Sequence, residues 1–265
     1  MQLRTRHAVI GAAALLTLVA GCSSDESTAT TDAPTTTAHE HAHWTYEGEE
    51  GPEHWGELDP DYATCADGSA QTPIDIVDAT STDLTDPVLS YTAGAAKVTN
   101  NGHTIVASAA EGNSLSVDGK DFPLVQIHFH AGSEHTINGE QFPAEVHFVH
   151  KTAEGELAVL GVMITEGAEN AAWAPFTGAM GTAKDAEAEI QLDWAAMLPT
   201  SKMTYRYTGS LTTPPCTEGV HWMLLETPVE LSADQIAAMK AAYDGNFRPV
   251  QPLNGREVQM DSSEG

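Results

Sequence analysis

Two runs of seven residues, 124–130 and 144–150, constrain this chain more than any other feature. Each alternates in the way of a β-strand, whose successive side chains project to opposite faces. In the first run Gln126, His128 and His130 share one face while Ile127 and Phe129 share the other; in the second, Glu145, His147 and Val149 fall together. Two imidazoles two residues apart stand about 7 Å apart along a strand face, so both can reach one metal ion if a neighbouring strand supplies a third ligand. Laying the two runs side by side, antiparallel, brings His128, His130 and His147 together. Three imidazoles suit a catalytic zinc site with its fourth position open to water. Gln126 can accept a hydrogen bond from the other N–H of His128, and Glu145 from that of His147. The pattern HxHxxxE, which His128 to Glu134 also fits, belongs to the cupins as well, but their second block carries a glycine that Pro143-Ala144-Glu145-Val146-His147 lacks. A redox metal in place of zinc would mark that alternative.

Further strand-like segments follow at short spacing, bounded by turn residues. Lys97–Thr99 precedes the Asn100-Asn101-Gly102 turn, and His103–Ala107 resumes after it. Leu115–Val117 leads into the hairpin signal Asp118-Gly119. Leu157–Ile164 is almost continuously apolar, as expected of a strand covered on both faces, and Met203–Tyr207 and Val220–Glu226 are further strands. Helix signals are few: Ser232-Ala233-Asp234-Gln235 is a capping box ahead of Ile236–Tyr243, and residues 169–187 hold a second candidate broken by Pro175 and Gly178. The strands lie too close for regular βαβ units. The expectation is a mainly β domain with peripheral helices.

The N-terminus reads as a leader. Arg4 and Arg6 precede an apolar run from Ala8 to Ala20, too short for a membrane span, and Val19-Ala20-Gly21-Cys22 has the form of a lipoprotein cleavage box. The expectation is a signal peptide over 1–21, lipid on Cys22, and a protein outside the cytoplasm, held to the outer face of the cell membrane. Ordinary cleavage with an incidental Cys22 is the alternative. Residues 22–43 are rich in Ser, Thr, Asp and Ala and read as a tether. It closes on His39, His41 and His43, a tract that can collect metal, or simply a solvated linker end. A non-catalytic zinc-capturing lipoprotein built on that tract is a further reading. Cys65 and Cys216 remain, as a bridge or as two buried thiols; a bridge would close about 150 residues and stabilise by several kcal/mol in the chain-entropy model. The net charge of −27 excludes nucleic acid as a partner and favours neutral or cationic small molecules.

From Trp44 to about Arg256 the chain resembles the α-class carbonic anhydrases. The likeness rests on Gly51-Pro52-Glu53-His54-Trp55, Gln71-Thr72-Pro73-Ile74-Asp75-Ile76, Asn101-Gly102-His103, Gln126 to His130, Gly132-Ser133-Glu134-His135, Ala144 to His150, Leu157 to Gly161, Gly209 to Cys216 and Asn246 to Leu253. The resemblance implies a catalytic domain over 44–260, built on a twisted, mostly antiparallel ten-stranded sheet. It implies reversible hydration of carbon dioxide to bicarbonate by zinc-bound hydroxide, with Zn2+ on His128, His130 and His147. It makes Gln126, Glu145 and Asn246 the partners behind the ligands, Thr212 the acceptor from the hydroxide, Glu134 the carboxylate that fixes Thr212, and His103 the proton shuttle. Val149, Val159, Leu211, Thr213, Val220 and Trp222 become the substrate pocket, and Cys65 and Cys216 the bridged pair of secreted members. Sulfonamides and anions are the implied inhibitors, and no protein partner is implied. On the residues alone His103 reads as an exposed turn residue in preference to a shuttle, and His135 and His150 read as structural. Two departures stand out: Ala131 where many members carry a larger residue, and Val106 where animal enzymes carry a polar one.

The acidic surface also suits high salt, where screening relieves self-repulsion. The expected outcome is a melting temperature that rises from dilute buffer to molar salt; a flat or falling value contradicts salt adaptation.

Overall fold

The structure, a computed structural model, describes residues 41–262. The expected signal peptide, Cys22 and most of the tether lie outside the described residues. Ten strands form one continuous path: β1 (Thr80–Thr82), β2 (Ala93–Asn100), β3 (Ile105–Ala109), β4 (Lys120–Ala131), β5 (Ala144–Lys151), β6 (Leu157–Glu166), β7 (Glu187–Asp193), β8 (Thr204–Ser210), β9 (Glu218–Leu225) and β10 (Gln259–Asp261). Their spatial order is β7-β2-β3-β4-β5-β6-β9-β8-β10-β1. Neighbours run antiparallel except β6 beside β9 and β10 beside β1. Three short strands, Val88–Ser90, Ser114–Val117 and Val229–Leu231, join its flanks and raise the sheet to thirteen. Asp75–Ile76, Thr136–Ile137 and Glu140–Gln141 form a separate small sheet. The helices are short: α1 (Trp55–Leu58), α2 (Thr64–Asp67), α3 (Ala174–Gly178) and α4 (Ala233–Ala242). Ser232 and Gln235 cap α4 reciprocally, as the sequence predicts.

The sheet separates two apolar bodies. One face buries Ile127, Phe129, Val146, Phe148 and Leu160 against Trp173, Phe176, Trp194 and Met239. The other carries Val159, Val220, Trp222 and Leu224 with Ile74 and Tyr207. Phe129, fully buried and 6.5 Å from the Phe176 ring, pins β4 to the first body and leaves His128 and His130 on the second.

The alternation of β4 is not unbroken. Val149 pairs with Gln126 but His150 pairs with Leu124, so Val125 is an extra residue bulged from the ladder. The bulge reverses the parity: Phe122 and Leu124 join the same core as Ile127 and Phe129, and Val125 is exposed. Other expected boundaries shift too. His103 and Thr104 precede β3 instead of starting it, because Asn101 Oδ1 accepts from both of their amides and holds them in a turn. Met203 and Glu226 flank β8 and β9 and meet through one backbone bond. The end of the tether is docked. Ala42 N–H donates to Asp59 Oδ2 at 3.0 Å and its carbonyl accepts from Tyr62 at 3.0 Å, so the folded body begins at about His41.

His150 lies in the first core, as its parity with Phe148 requires. Tyr91 Oη donates to its Nε2 at 2.5 Å and its Nδ1 donates to the Ala158 carbonyl. Burial pushes this histidine down to about 4, against roughly 6.5 in an unfolded chain. The neutral form is the folded form, so the stability it contributes is complete above pH 6.5 and is lost as pH falls toward 4. Urea unfolding at pH 7.5 and pH 5 is expected to show wild type losing about 2 kcal/mol more than His150→Leu between the two. An equal loss contradicts this account.

Candidate functional site

The register of β4 and β5 places His147 directly opposite His128 and Glu145 opposite His130. The three imidazoles converge, with ring centres 5.1, 5.1 and 4.6 Å apart and one nitrogen of each within 4.8 Å of the others. Which nitrogens face inward follows from what holds the outward ones. His128 Nδ1 donates to Gln126 Oε1 at 2.9 Å, His130 Nδ1 to the Asn246 carbonyl at 2.6 Å, and His147 Nε2 to Glu145 Oε1 at 2.9 Å. The inward atoms are therefore Nε2 of His128, Nε2 of His130 and Nδ1 of His147. Burial lowers all three basicities, helped at His128 and His147 by neighbouring imidazoles, and pushes His130 down to about 4. The lone pairs stay free of protons at neutral pH. His130 Nε2 is buried without a hydrogen-bond partner, a costly arrangement unless something else binds it. Three neutral imidazoles with fixed tautomers and one orphaned donor atom fit a first-row divalent cation.

Glu145 is the hub behind this group. Its Oε1 accepts from His147 and from His135 Nδ1 at 2.8 Å, and its Oε2 accepts from the amides of Glu134 and His135. Burial alone would raise its pKa, but His135, His147 and these bonds hold it well below the usual carboxylate range. Gly161, opposite His147 on β6, makes room for it: a Cβ there would lie 2.6 Å from Leu224 Cδ1 and 3.2 Å from Glu145 Oε1. Tyr207 Oη lies 2.6 Å from His135 Nε2 and closes the far end. The structural reading of His135 from the sequence is therefore right.

Glu134 is also buried. Its Oε1 accepts from the Arg248 amide at 2.8 Å, and its Oε2 lies 3.3 Å from His130 Nε2 and 3.9 Å from His147 Nδ1. Burial pushes the carboxyl up to about 7, opposed by His147, the Arg248 amide and the Thr212 hydroxyl. Thr212 is buried just beyond β8, in a loop closed by the Leu211–Thr217 and Thr213–Cys216 backbone bonds and tied down by the Cys65–Cys216 disulfide. The loop also carries Leu211 and Thr213. Val149, Val159 and Trp222 form one row across β5, β6 and β9, and Val220 and Leu211 pack into the same body. The Trp222 ring stands 4.9 Å from that of His147, so this apolar wall adjoins the imidazoles.

His103 is the outlying member. Its half-buried ring stacks on Trp44 at 3.8 Å and 10°, and its basicity is lowered by burial, His43 and Lys184. Among the described residues, the ring contacts of His103 are with Trp44 and His43, and none joins it to the three imidazoles. Its link is through Asn246, whose side-chain amide donates to the carbonyls of His103 and Phe129 while its own carbonyl holds His130. Asn246 Oδ1 also accepts from Ala131 N. Ala131 packs opposite Ala144 in the core, and Val106 pairs with His128.

Sequence reasoning misses Arg248 and Trp44. Arg248 is 1 % exposed; its guanidinium donates to Gln71 Oε1 and to the carbonyls of Thr72 and Cys65. A charged residue in a Pro-rich segment gives no local sign of burial, since all its partners lie far along the chain.

Comparison with known proteins agrees with this geometry. Residues 50–262 match the family model of the eukaryotic-type carbonic anhydrases. A carbonic anhydrase of Pectobacterium carotovorum is 44% identical over 221 residues, covering 82% of this chain and 90% of that protein. One from Klebsiella pneumoniae is 44% identical, covering 82% and 90%. The structure of α-carbonic anhydrase from Thermovibrio ammonificans with the inhibitor sulfanilamide superposes with a TM-score of 0.80 at 44% identity, covering 83% of this chain and all of that one.

Each imidazole depends on the acceptor behind it. Gln126→Ala and Glu145→Gln are each expected to weaken divalent-metal binding roughly 10–100-fold, read by competition against a chromophoric chelator. Wild-type affinity in both variants contradicts the assigned roles.

Proposed function

This chain belongs to the eukaryotic-type carbonic anhydrase family, and on that premise we propose that it hydrates carbon dioxide reversibly at a Zn2+ ion held by His128, His130 and His147. It is an enzyme, a carbonate dehydratase by class. The observation that carries the zinc assignment is the convergence of three proton-free imidazoles, His130 and His147 buried and His128 half-buried, whose outer N–H groups all have acceptors, with His130 Nε2 otherwise orphaned. When bound, the ion lowers the pKa of water to about 7, a figure that is carbonic anhydrase's own, and so supplies hydroxide near neutral pH.

The chain's residues do the rest. Gln126, the Asn246 carbonyl and Glu145 fix the three rings. Thr212 donates its hydroxyl proton to Glu134, which leaves its oxygen lone pair aimed at the site to orient the reacting oxygen. Val149, Val159, Leu211, Val220 and Trp222, with Thr213 at the loop, give carbon dioxide an apolar resting place that does not compete for the ligands. The reaction releases a proton, and His103 takes it at a ring nitrogen and passes it to buffer. Aromatic sulfonamides and anions are the inhibitors this site would take, as sulfanilamide is for the Thermovibrio protein.

The secreted, lipid-anchored form is part of the same proposal. Its support is the Arg4/Arg6 leader, the Val19-Ala20-Gly21-Cys22 box and a disulfide, which belongs in an oxidising compartment. The leader and Cys22 lie outside the described residues.

Stopped-flow hydration of carbon dioxide by the purified ectodomain tests the function, with and without chelator and an aromatic sulfonamide. Both additions are expected to abolish activity, and a zinc-loaded sample without activity overturns the reading. Thr212→Ala is expected to lower kcat by about 10²-fold or more. His103→Ala is expected to lower it mainly in weak buffer, and an unchanged rate there removes the shuttle role.

A further inference from the structure

A second group of ligating side chains stands apart from the three imidazoles. His41 Nδ1 lies 3.5 Å from Asp59 Oδ2 and 3.6 Å from Asp61 Oδ2, and all three atoms fall within 4.8 Å of one another. We propose that His41, Asp59 and Asp61 form a second divalent-cation site, of the kind that takes zinc, where the N-terminal tract meets the folded body.

The spacing is the first argument. A charge-assisted hydrogen bond between these groups would close to about 2.7–2.9 Å. Donors sharing one tetrahedral ion at roughly 2.0–2.2 Å stand about 3.3–3.6 Å apart, which is what His41 shows toward both carboxylates. One imidazole with two carboxylates is a ligand set zinc accepts, and the two negative charges balance the ion. A strongly acidic protein raises the local concentration of cations further.

Preorganisation is the second argument. Asp59 is 3 % exposed and precedes the 3-10 turn Pro60–Tyr62, with extended backbone and a proline next to it. Its Oδ1 accepts from the Asp61 amide at 3.0 Å, which brings the second carboxylate alongside. Its Oδ2 accepts from the Ala42 amide at 3.0 Å, which delivers His41, and Tyr62 Oη donates to the Ala42 carbonyl. The His41 ring stacks on Tyr62 at 5.8 Å and 25°. The Ala42 and Tyr62 bonds bring in residues outside the ligand set and hold His41 beside Asp59, and metal carboxylates carry such backing bonds as a rule. The site is reachable, since His41 and Asp61 line an open cleft beside Pro214, Pro215 and Glu218, where water can complete the coordination.

This replaces the sequence-level picture of a three-histidine tract. His43 faces elsewhere, with its Nδ1 3.2 Å from Glu50 and its ring beside His103. His39 lies outside the described residues. The partners of His41 are two aspartates about 20 residues away that no local pattern links to it. An ion here would cross-link the tract to the body.

Isothermal titration of the zinc holoenzyme, washed with a mild chelator and then given ZnCl2, tests the proposal. One further equivalent is expected to bind, with a rise in melting temperature. His41→Gln and Asp61→Asn are each expected to weaken that event at least tenfold and to remove the melting shift. Both substitutions fall on exposed side chains, and metal-free melting and carbon dioxide hydration are expected to stay at wild-type values. The proposal fails if wild type shows no further event, or if the event survives both substitutions. It fails equally if His39→Gln with His43→Gln abolishes binding while His41 is intact, because the histidine tract alone would then be the ligand.

Discussion

The outward N–H of an imidazole decides what its inward nitrogen can do, and the whole site depends on three such N–H groups having fixed acceptors. A side-chain amide, a backbone carbonyl and a carboxylate take these parts at His128, His130 and His147. Each bond selects a tautomer, stops ring rotation and leaves a lone pair pointing at a common point. Burial keeps those lone pairs from being protonated. Strand parity alone would bring the rings to one face, yet without these acceptors it would leave their tautomers and orientations open.

The acceptors have their own supports, and these reach across most of the chain. Glu145 is a buried carboxylate, costly unless its bonds are made; with four donors from His135, His147 and two amides it is ionised and rigid. The Asn246 segment holds His130, the edge of β4 and the backbone of His103 at once. Arg248, two residues on, bonds Glu134 through its amide and the Cys65 region through its guanidinium. The loop bearing Thr212 is clamped to that same region by the disulfide. The C-terminal segment, which has little regular structure, is therefore what joins ligand support, hydroxyl orientation and the apolar wall into one unit.

The legible parts of this in the sequence were those with a short period. The two-residue alternation around His128, His130 and His147 predicts the facing strands, the second-row partners Gln126 and Glu145, and the buried role of Phe129. The capping box of α4 is visible for the same reason. What escaped is what depends on distant chain. The bulge at Val125 has no glycine to announce it, and it turns Leu124 toward the core against its parity. Arg248 looks like a surface cation, and its burial follows only from carbonyls at Cys65 and Thr72. Trp44, at the edge of an expected tether, proves to be the platform for His103. His41 meets Asp59 and Asp61 because Ala42 and Tyr62 bond across the gap. The family likeness supplied roles for Thr212, Glu134 and His103 that no spacing rule contains.

Equilibrium zinc affinity, measured by chelator competition on wild type, His128→Ala, His130→Ala, His147→Ala and His135→Gln, bears most directly on the central claim. The account predicts that each of the first three substitutions removes the tightest zinc-binding event, while His135→Gln keeps a weakened one because it touches the ion only through Glu145. A variant lacking any one of the three ligands that still binds zinc as tightly as wild type would contradict it.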